Sequence, residues 1–404
     1  MAARPATRAN RTRAARSSPD EASVRTPVRD LTRGATSFHI DWDVRPAYDF
    51  VFSLSAEAGE TDDLPAEDRA WLKIARNTLA AGVRDADKQL FDSEFCVSAA
   101  VLLIDRPGAR TGREFVDALA EATPAEVIRA VFEYSNREPD VADLIDRAIA
   151  GDEVALAALD STLPDHHRQG RLEMVRQPQQ TMSAMVNVLD AWSNLFTPIE
   201  PRVAEILERD YEARAADRAT LSPADLIERT TGGIRWLPEA GVRRLILAPS
   251  YFSRPYNFVM SAGDWRLFGY PVSDDALEAI DPLAAPSAVV RLHRALGDST
   301  RLKILKLLAG RDLYLTEIAQ QLDLSKPTIK HHLALLRAAG LVMITESGTV
   351  VYYTLRRNRL DDASTDIKRF LLSQASPYFL GSELDKWLTR GRRHTQRHGA
   401  WRIW

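Results

Sequence analysis

The sequence predicts an α+β fold that is mainly helical, with a mostly α N-terminal domain carrying a small β-hairpin or sheet and a smaller C-terminal domain. Three observations predict this. The chain has 404 residues, too many for one core of ordinary size, so two or three folded units are expected. Apolar residues recur at helical spacing over most of the length, while β-branched and aromatic runs concentrate near 244–270 and 341–355. The net charge of −3 also hides a segregation. Residues 1–37 carry +5, 38–286 carry −18, 287–360 carry +7 and 361–404 carry +3. A compact basic segment attached to an acidic body suits a module that meets a polyanion, with a body that does not.

Composition excludes several classes. Hydrophobic residues at 45% and charged residues at 27% fit a globular chain rather than a disordered one. The one cysteine, Cys96, cannot form an intramolecular disulfide or a cysteine-rich zinc site. It sits in Phe95-Cys96-Val97 and is expected to pack. No stretch reaches the 18 or more apolar residues of a membrane helix. The opening 37 residues have no apolar signal core and read as a disordered basic arm. They superficially resemble a transit peptide, but Asp20, Glu21 and Asp30 argue against one, and a cytoplasmic location is expected.

The elements follow in order. Phe38 to Leu54 is aromatic-rich and begins as a strand, and a loop spans Glu57 to Pro65. Ala70 to Phe91 has a helical stripe of Trp71, Ile74, Ala75, Leu79 and Val83. Glu114 to Leu119 and Ala125 to Tyr134 read as short helices, the second opened by Thr123-Pro124. Gln179 to Phe196 places Met182, Met185, Val186, Leu189, Trp192 and Phe196 on one face. Pro201 opens a further helix, and Ser222-Pro223-Ala224-Asp225 starts another that Gly232-Gly233 ends. Arg244 to Ala248 is a short apolar run. Asn257 to Met260 and Trp265 to Tyr270 flank Ser261-Ala262-Gly263-Asp264 as a β-hairpin. Asp281 to Pro286 reads as a linker.

From Ser287 the pattern is denser. An amphipathic helix through Leu296 ends at Gly297, and Asp298 caps a second helix that Gly310 stops. Thr316 caps a third over Glu317 to Leu322, Asp323-Leu324-Ser325 makes a turn, and Ser325 caps a fourth that runs to Ala339. Strands Leu341 to Thr345 and Val350 to Leu355 close the segment around Glu346 to Thr349. This is the plan of a winged helix-turn-helix. In the fourth helix Ile329, Leu333 and Leu336 should face the core, leaving Ser325, Lys326, Thr328, Lys330 and His331 outward near its start.

Leu296 to Leu305, Leu324 to Leu333, Leu336 to Val342 and Val351-Tyr352-Tyr353 together resemble the ArsR family of bacterial regulators over about 75 residues. The resemblance implies a homodimer that binds double-stranded DNA at an inverted repeat, usually a repressor released by an effector. The candidate DNA-binding set is Thr300, Arg301, Thr316, Ser325, Lys326, Thr328, Lys330, His331 and Arg337. Two departures stand out. The stretch Asp312 to Glu317 lacks the cysteines of metal-sensing members, and the helix after the wing offers Asp361, Asp362 and Asp366 without a nearby His, so no metal or cofactor is expected. The wing tip is Glu346-Ser347-Gly348-Thr349 rather than basic.

The remaining signals are weaker. Asp165-His166-His167 reads as a surface loop, and His394 and His398 lie among arginines in a basic tail. No nucleophile elbow or phosphate loop occurs, so an enzyme is not expected. Residues 38–286 read as a sensor or interaction domain, 287–372 as the DNA-binding domain and 373–404 as a basic tail. The aromatic hairpin region resembles the end of the N-terminal domain of longer regulators of this kind. Trp192, Tyr251, Phe252, Tyr256, Trp265 and Phe268 form a candidate pocket for a small-molecule effector, or else the domain core. A second functional reading is an enzyme or interaction domain fused to a winged helix that serves dimerisation or architecture.

Overall fold

The computed structural model describes residues 38–55, 58–90, 93–135, 141–163, 168–239, 241–277, 285–347 and 350–372. The expected basic arm and tail, Asp165-His166-His167, His394, His398 and most of the 281–286 linker lie outside the described residues, as does the side chain of Cys96.

The chain is α+β and mainly helical. It opens with β1 (His39–Trp42) and α1 (Pro46–Phe52), followed by α2 (Ala66–Thr78) and α3 (Ala81–Leu90). The single helix expected from 70 to 91 is therefore two, parted where Leu79 turns extended and buries its side chain. Next come α4 (Ser93–Ile104), α5 (Gly112–Ala120), α6 (Pro124–Ser135), α7 (Val141–Ile149), α8 (Glu153–Thr162) and α9 (Arg168–Arg176). α10 (Pro178–Phe196), α11 (Glu200–Ala213), α12 (Ala215–Thr220) and α13 (Pro223–Thr231) complete the helical part. Local chemistry explains several boundaries. Thr111 and Glu114 make a reciprocal capping box on α5, and Ser222 caps α13 by accepting from the Asp225 amide. α13 ends at Gly232, whose φ of +69° is the left-handed C-terminal conformation that glycine adopts without strain.

Strands β2 (Ile234–Trp236), β3 (Arg244–Ser250), β4 (Phe258–Ala262) and β5 (Trp265–Pro271) follow. The first sheet has the order β1-β3-β5-β4, with β1, β3 and β5 parallel and β4 antiparallel to β5. The expected hairpin is present, with Ala262 opposite Trp265 and Gly263-Asp264 as the turn. β3 is buried from Leu245 to Ser250 because both faces of this sheet are covered. Ile246, Ala248, Trp265 and Leu267 join the helical core with Trp192 and Phe252. Leu245, Leu247, Phe268 and Tyr270 face the opposite way and pack with Ile227, Trp236 and Ile344.

Asp49 ties the helical core to this sheet. The carboxylate is fully buried on α1, and its Oδ1 accepts from Ser250 Oγ at 2.7 Å and from the Tyr251 and Phe252 amides at 2.8 and 2.7 Å. Burial pushes its pKa up to about 6, against the opposing pull of these donors. A carboxyl raised on folding stabilises the native state below its unfolded value and loses that contribution as pH climbs through the folded value. Stability should therefore fall between about pH 4 and pH 6 by an amount of order 3 kcal/mol from this group. Asp49→Asn should flatten that part of a urea-denaturation pH profile. An unchanged profile would mean that Asp49 does not titrate there.

The C-terminal part contains α14 (Ser287–Leu296), α15 (Ser299–Leu308), β6 (Leu313–Tyr314), α16 (Leu315–Leu322), α17 (Lys326–Ala338), β7 (Val342–Ser347), β8 (Val350–Leu355) and α18 (Arg357–Leu372). Leu292, Ile304, Ile318, Ile329, Leu333, Leu336 and Leu341 fill its core. Its sheet has the order β2-β7-β8-β6. The outer strand β2 comes from the N-terminal part and pairs parallel with β7, Ile234 opposite Ile344 and Trp236 opposite Glu346.

Candidate nucleic-acid interface

The helix-turn-helix is built by short-range bonds. The Glu317 carboxylate accepts from the Tyr314 amide at 2.9 Å, so α16 starts one residue before Thr316 and is capped from Tyr314 rather than by Thr316. Asp323 takes φ +53° at its end, and the Leu324 amide returns to the Ala319 carbonyl at 3.1 Å. Ser325 Oγ then accepts from the Thr328 amide at 3.3 Å and lies 2.7 Å from the Thr328 hydroxyl, with Pro327 in the first turn of α17.

This start fixes which side of α17 is buried. Ile329, Leu333 and Leu336 are inside, while Ser325, Lys326, Thr328, Lys330 and His331 are exposed. Five donors and cations therefore share one outward face at the positive end of a helix, where phosphates and base edges can be reached without disturbing the core. His332, one position on, is half-buried. Desolvation holds its pKa below the usual imidazole value, with Asp298 opposing and Arg301 and His331 assisting.

The other candidates are placed differently. Asp298 caps α15 through the Arg301 amide at 2.8 Å, a bond that holds its carboxyl below the usual range. The Arg301 guanidinium donates to the Ala295 and Arg294 carbonyls at 2.8 and 2.7 Å, closing the C-terminus of α14. Thr300 beside it is half-buried, and Thr316 is exposed on α16. Arg337 is half-buried, 11 positions beyond Lys326, or about 17 Å along the axis of α17 from the exposed turn.

The six aromatic candidates are not gathered into one pocket. Trp192, Tyr251, Phe252 and Trp265 belong to the helical core, Phe268 to the core on the other face of the sheet, and Tyr256 is half-buried in the loop after β3. Trp192 Nε1 donates to Ser53 Oγ at 2.8 Å, and Tyr251 Oη donates to Asp68. A contact between Tyr314 and Tyr352 is not foreseen in the sequence, where Tyr352 enters only through Val351-Tyr352-Tyr353. Their rings lie tilted at 37° with centres 4.4 Å apart and their hydroxyls 2.5 Å apart on neighbouring strands. The alternation along Val350 to Leu355, with Tyr353 turned to the core, was the available signal. Among the described residues no group of three or more His, Cys, Asp or Glu could hold a metal ion, and no helix is long and apolar enough to cross a membrane.

Three helices, a tight turn into an outward-facing capped helix and a closing hairpin define a winged helix-turn-helix. Residues 298–343 match the model of the bacterial regulatory protein, arsR family. The chain is 37% identical over 80 residues to transcriptional repressor SdpR of Bacillus subtilis, a match spanning 20% of this chain and 89% of that one. It is 37% identical over 87 residues to HTH-type transcriptional regulator CmtR of Mycobacterium tuberculosis, spanning 22% and 74%. It is 36% identical over 82 residues to transcriptional activator HlyU of Vibrio cholerae, spanning 20% and 69%. The chain belongs to the ArsR family of bacterial regulatory proteins, and it carries a large N-terminal domain ahead of the shared module.

Proposed function

We propose that this protein is a sequence-selective, DNA-binding transcriptional regulator that acts as a homodimer, represses its target and responds to a small-molecule effector sensed through residues 38–286. The observation that carries the reading is the exposed face of Ser325, Lys326, Thr328, Lys330 and His331 on a helix whose opposite face is locked into the core. Such a helix fits the major groove, where each base pair presents its own donor and acceptor pattern. Thr316 adds an exposed hydroxyl on the preceding helix. Thr300, Arg301 and Arg337 enter as supports of this surface. Two copies would read an inverted repeat, as two-fold symmetry requires. The relatives carry both signs of regulation in their names, repressor for SdpR and activator for HlyU.

The test is selection of genomic fragments by the purified full-length chain, followed by gel-shift titration at two salt concentrations and a promoter-reporter assay. Enrichment of an inverted repeat, bound by two chains with affinity that falls steeply with salt, is expected, together with lowered reporter output. Absence of any selected sequence would overturn the reading, and raised output would reverse its sign.

A further inference from the structure

A cavity of about 350 Å³ opens where the N-terminal domain meets the winged helix, within the size range of small-molecule sites. One wall is the end of α13, the segment 254–257 and the residues that follow β5. The other is the start of α14, the last turn of α17 with Gly340, and the entry to α18. Seven lining residues are arginines, and Asp274 is the sole carboxylate among the lining residues.

Part of this charge is matched. Asp210 holds Arg214 at 2.8 Å, Asp274 holds Arg254, Asp63 holds Arg291, and Asp366 holds Arg359 at 2.7 Å. Arg356 differs: it donates to the Gly232 carbonyl at 2.8 Å, a neutral acceptor that positions the guanidinium across the junction without cancelling its charge. Arg229 meets Asp217 only at 3.5 Å and is largely exposed, a weak pairing. Two uncharged groups complete the wall. Thr230 is 4% exposed, and its Oγ1 has no hydrogen-bond partner. Asn257 gives its amide N–H to the Thr231 carbonyl at 2.9 Å, which leaves Oδ1, also unpartnered, to accept from a hydroxyl.

We propose that this cleft binds a small hydroxylated oxyanion, a phosphate ester or a hydroxy acid, and that its occupancy sets how α17 is held against the N-terminal domain. Guanidinium groups match the planar oxygen pairs of such ligands, and the orphaned Thr230 and Asn257 oxygens supply the complement to a ligand hydroxyl. The regulatory half of the inference rests on the DNA-binding reading above. The cleft lies at the C-terminal end of α17, where Arg337 is in its wall, whereas the exposed Lys326 and Lys330 stand at the other end of that helix.

The experiment is calorimetric titration of the full-length protein with glycerol 3-phosphate, citrate and inorganic phosphate, paired with gel shifts with and without each probe. Glycerol 3-phosphate or citrate should bind at one site per chain, more tightly than inorganic phosphate, and the better probe tells the ester from the acid. Arg356→Ala, and separately Arg229→Ala, should weaken it by about tenfold or more, with Arg356→Lys recovering part. Ligand-free melting temperatures show that the variants fold. The probe should shift DNA affinity of the unmodified chain and not of Arg356→Ala. No binding by any probe, or full-strength binding by both alanine variants, overturns the site. Bound probe without a DNA shift overturns the coupling. Loss of probe-free DNA affinity in Arg356→Ala would assign the cleft to a DNA phosphate and also overturn the site. Probe binding by a chain that selects no DNA sequence would instead overturn the regulator reading and leave the site standing.

Discussion

Removing both lysines from the first turns of α17, as Lys326→Ala with Lys330→Ala, is expected to weaken DNA binding and to flatten its dependence on salt. Each phosphate neutralised by a cation contributes roughly 0.9 to the slope of log affinity against log salt. A dimer loses four cations to this double change, so the slope should fall by up to about 3.6. Gel-shift titrations across four salt concentrations read this directly. Both side chains are exposed and neither takes part in the core of Ile329, Leu333 and Leu336, so folding stability should change by less than about 0.5 kcal/mol. A loss of affinity with the slope intact would point to base contacts rather than phosphate contacts. An unchanged slope together with unchanged affinity would remove the start of α17 from the interface.

The largest effect on stability is expected at Trp192. Its indole is fully buried on α10, tilted against Trp71 with ring centres 5.8 Å apart, and hydrogen-bonded to Ser53 on the chain leaving α1. Trp192→Ala removes the ring, leaves a void and takes the indole donor from Ser53 Oγ, which keeps its bond to the Phe50 carbonyl at 2.8 Å. Such truncations cost about 3–5 kcal/mol. Urea unfolding followed by far-ultraviolet circular dichroism should show that loss, while Trp192→Phe, which keeps most of the packing, should cost about 1 kcal/mol for the missing bond. A cost below about 1 kcal/mol for the alanine variant would mean that the ring is not a packing element, and would return Trp192 to the set of effector-lining residues.

The C-terminal module was legible because its signals are local. Asp298 and Ser325 each cap a helix by bonding three residues on, Gly310 and Gly340 stand just beyond helix ends, and Ile329, Leu333 and Leu336 repeat at helical spacing. The start of α16 was misplaced because Glu317 reaches back to the Tyr314 amide, and a threonine one position inside the helix imitates a cap. In the N-terminal part Ala99 to Leu103 of α4 are apolar and buried at every position, so this stretch has no amphipathic period to read. The break between α2 and α3 carries neither glycine nor proline, and packing of Leu79 imposes it. The exposed half of the candidate DNA surface followed from one helix's periodicity. The spent guanidinium of Arg301 and the arginine cleft did not, because residues 229, 254, 337 and 356 are brought together only by the docking of two domains.

The three residues of β2 also bear on how this regulator can be dissected. β7 has β8 on one side and, on the other, a strand that lies more than a hundred positions earlier in the chain. A fragment beginning near residue 285 would leave that flank of β7 with unpaired amide and carbonyl groups, a template for another strand. The isolated winged helix should then self-associate through an edge that the intact protein keeps covered. Its oligomeric state, and the operator spacing inferred from it, would describe the cut surface rather than the regulator.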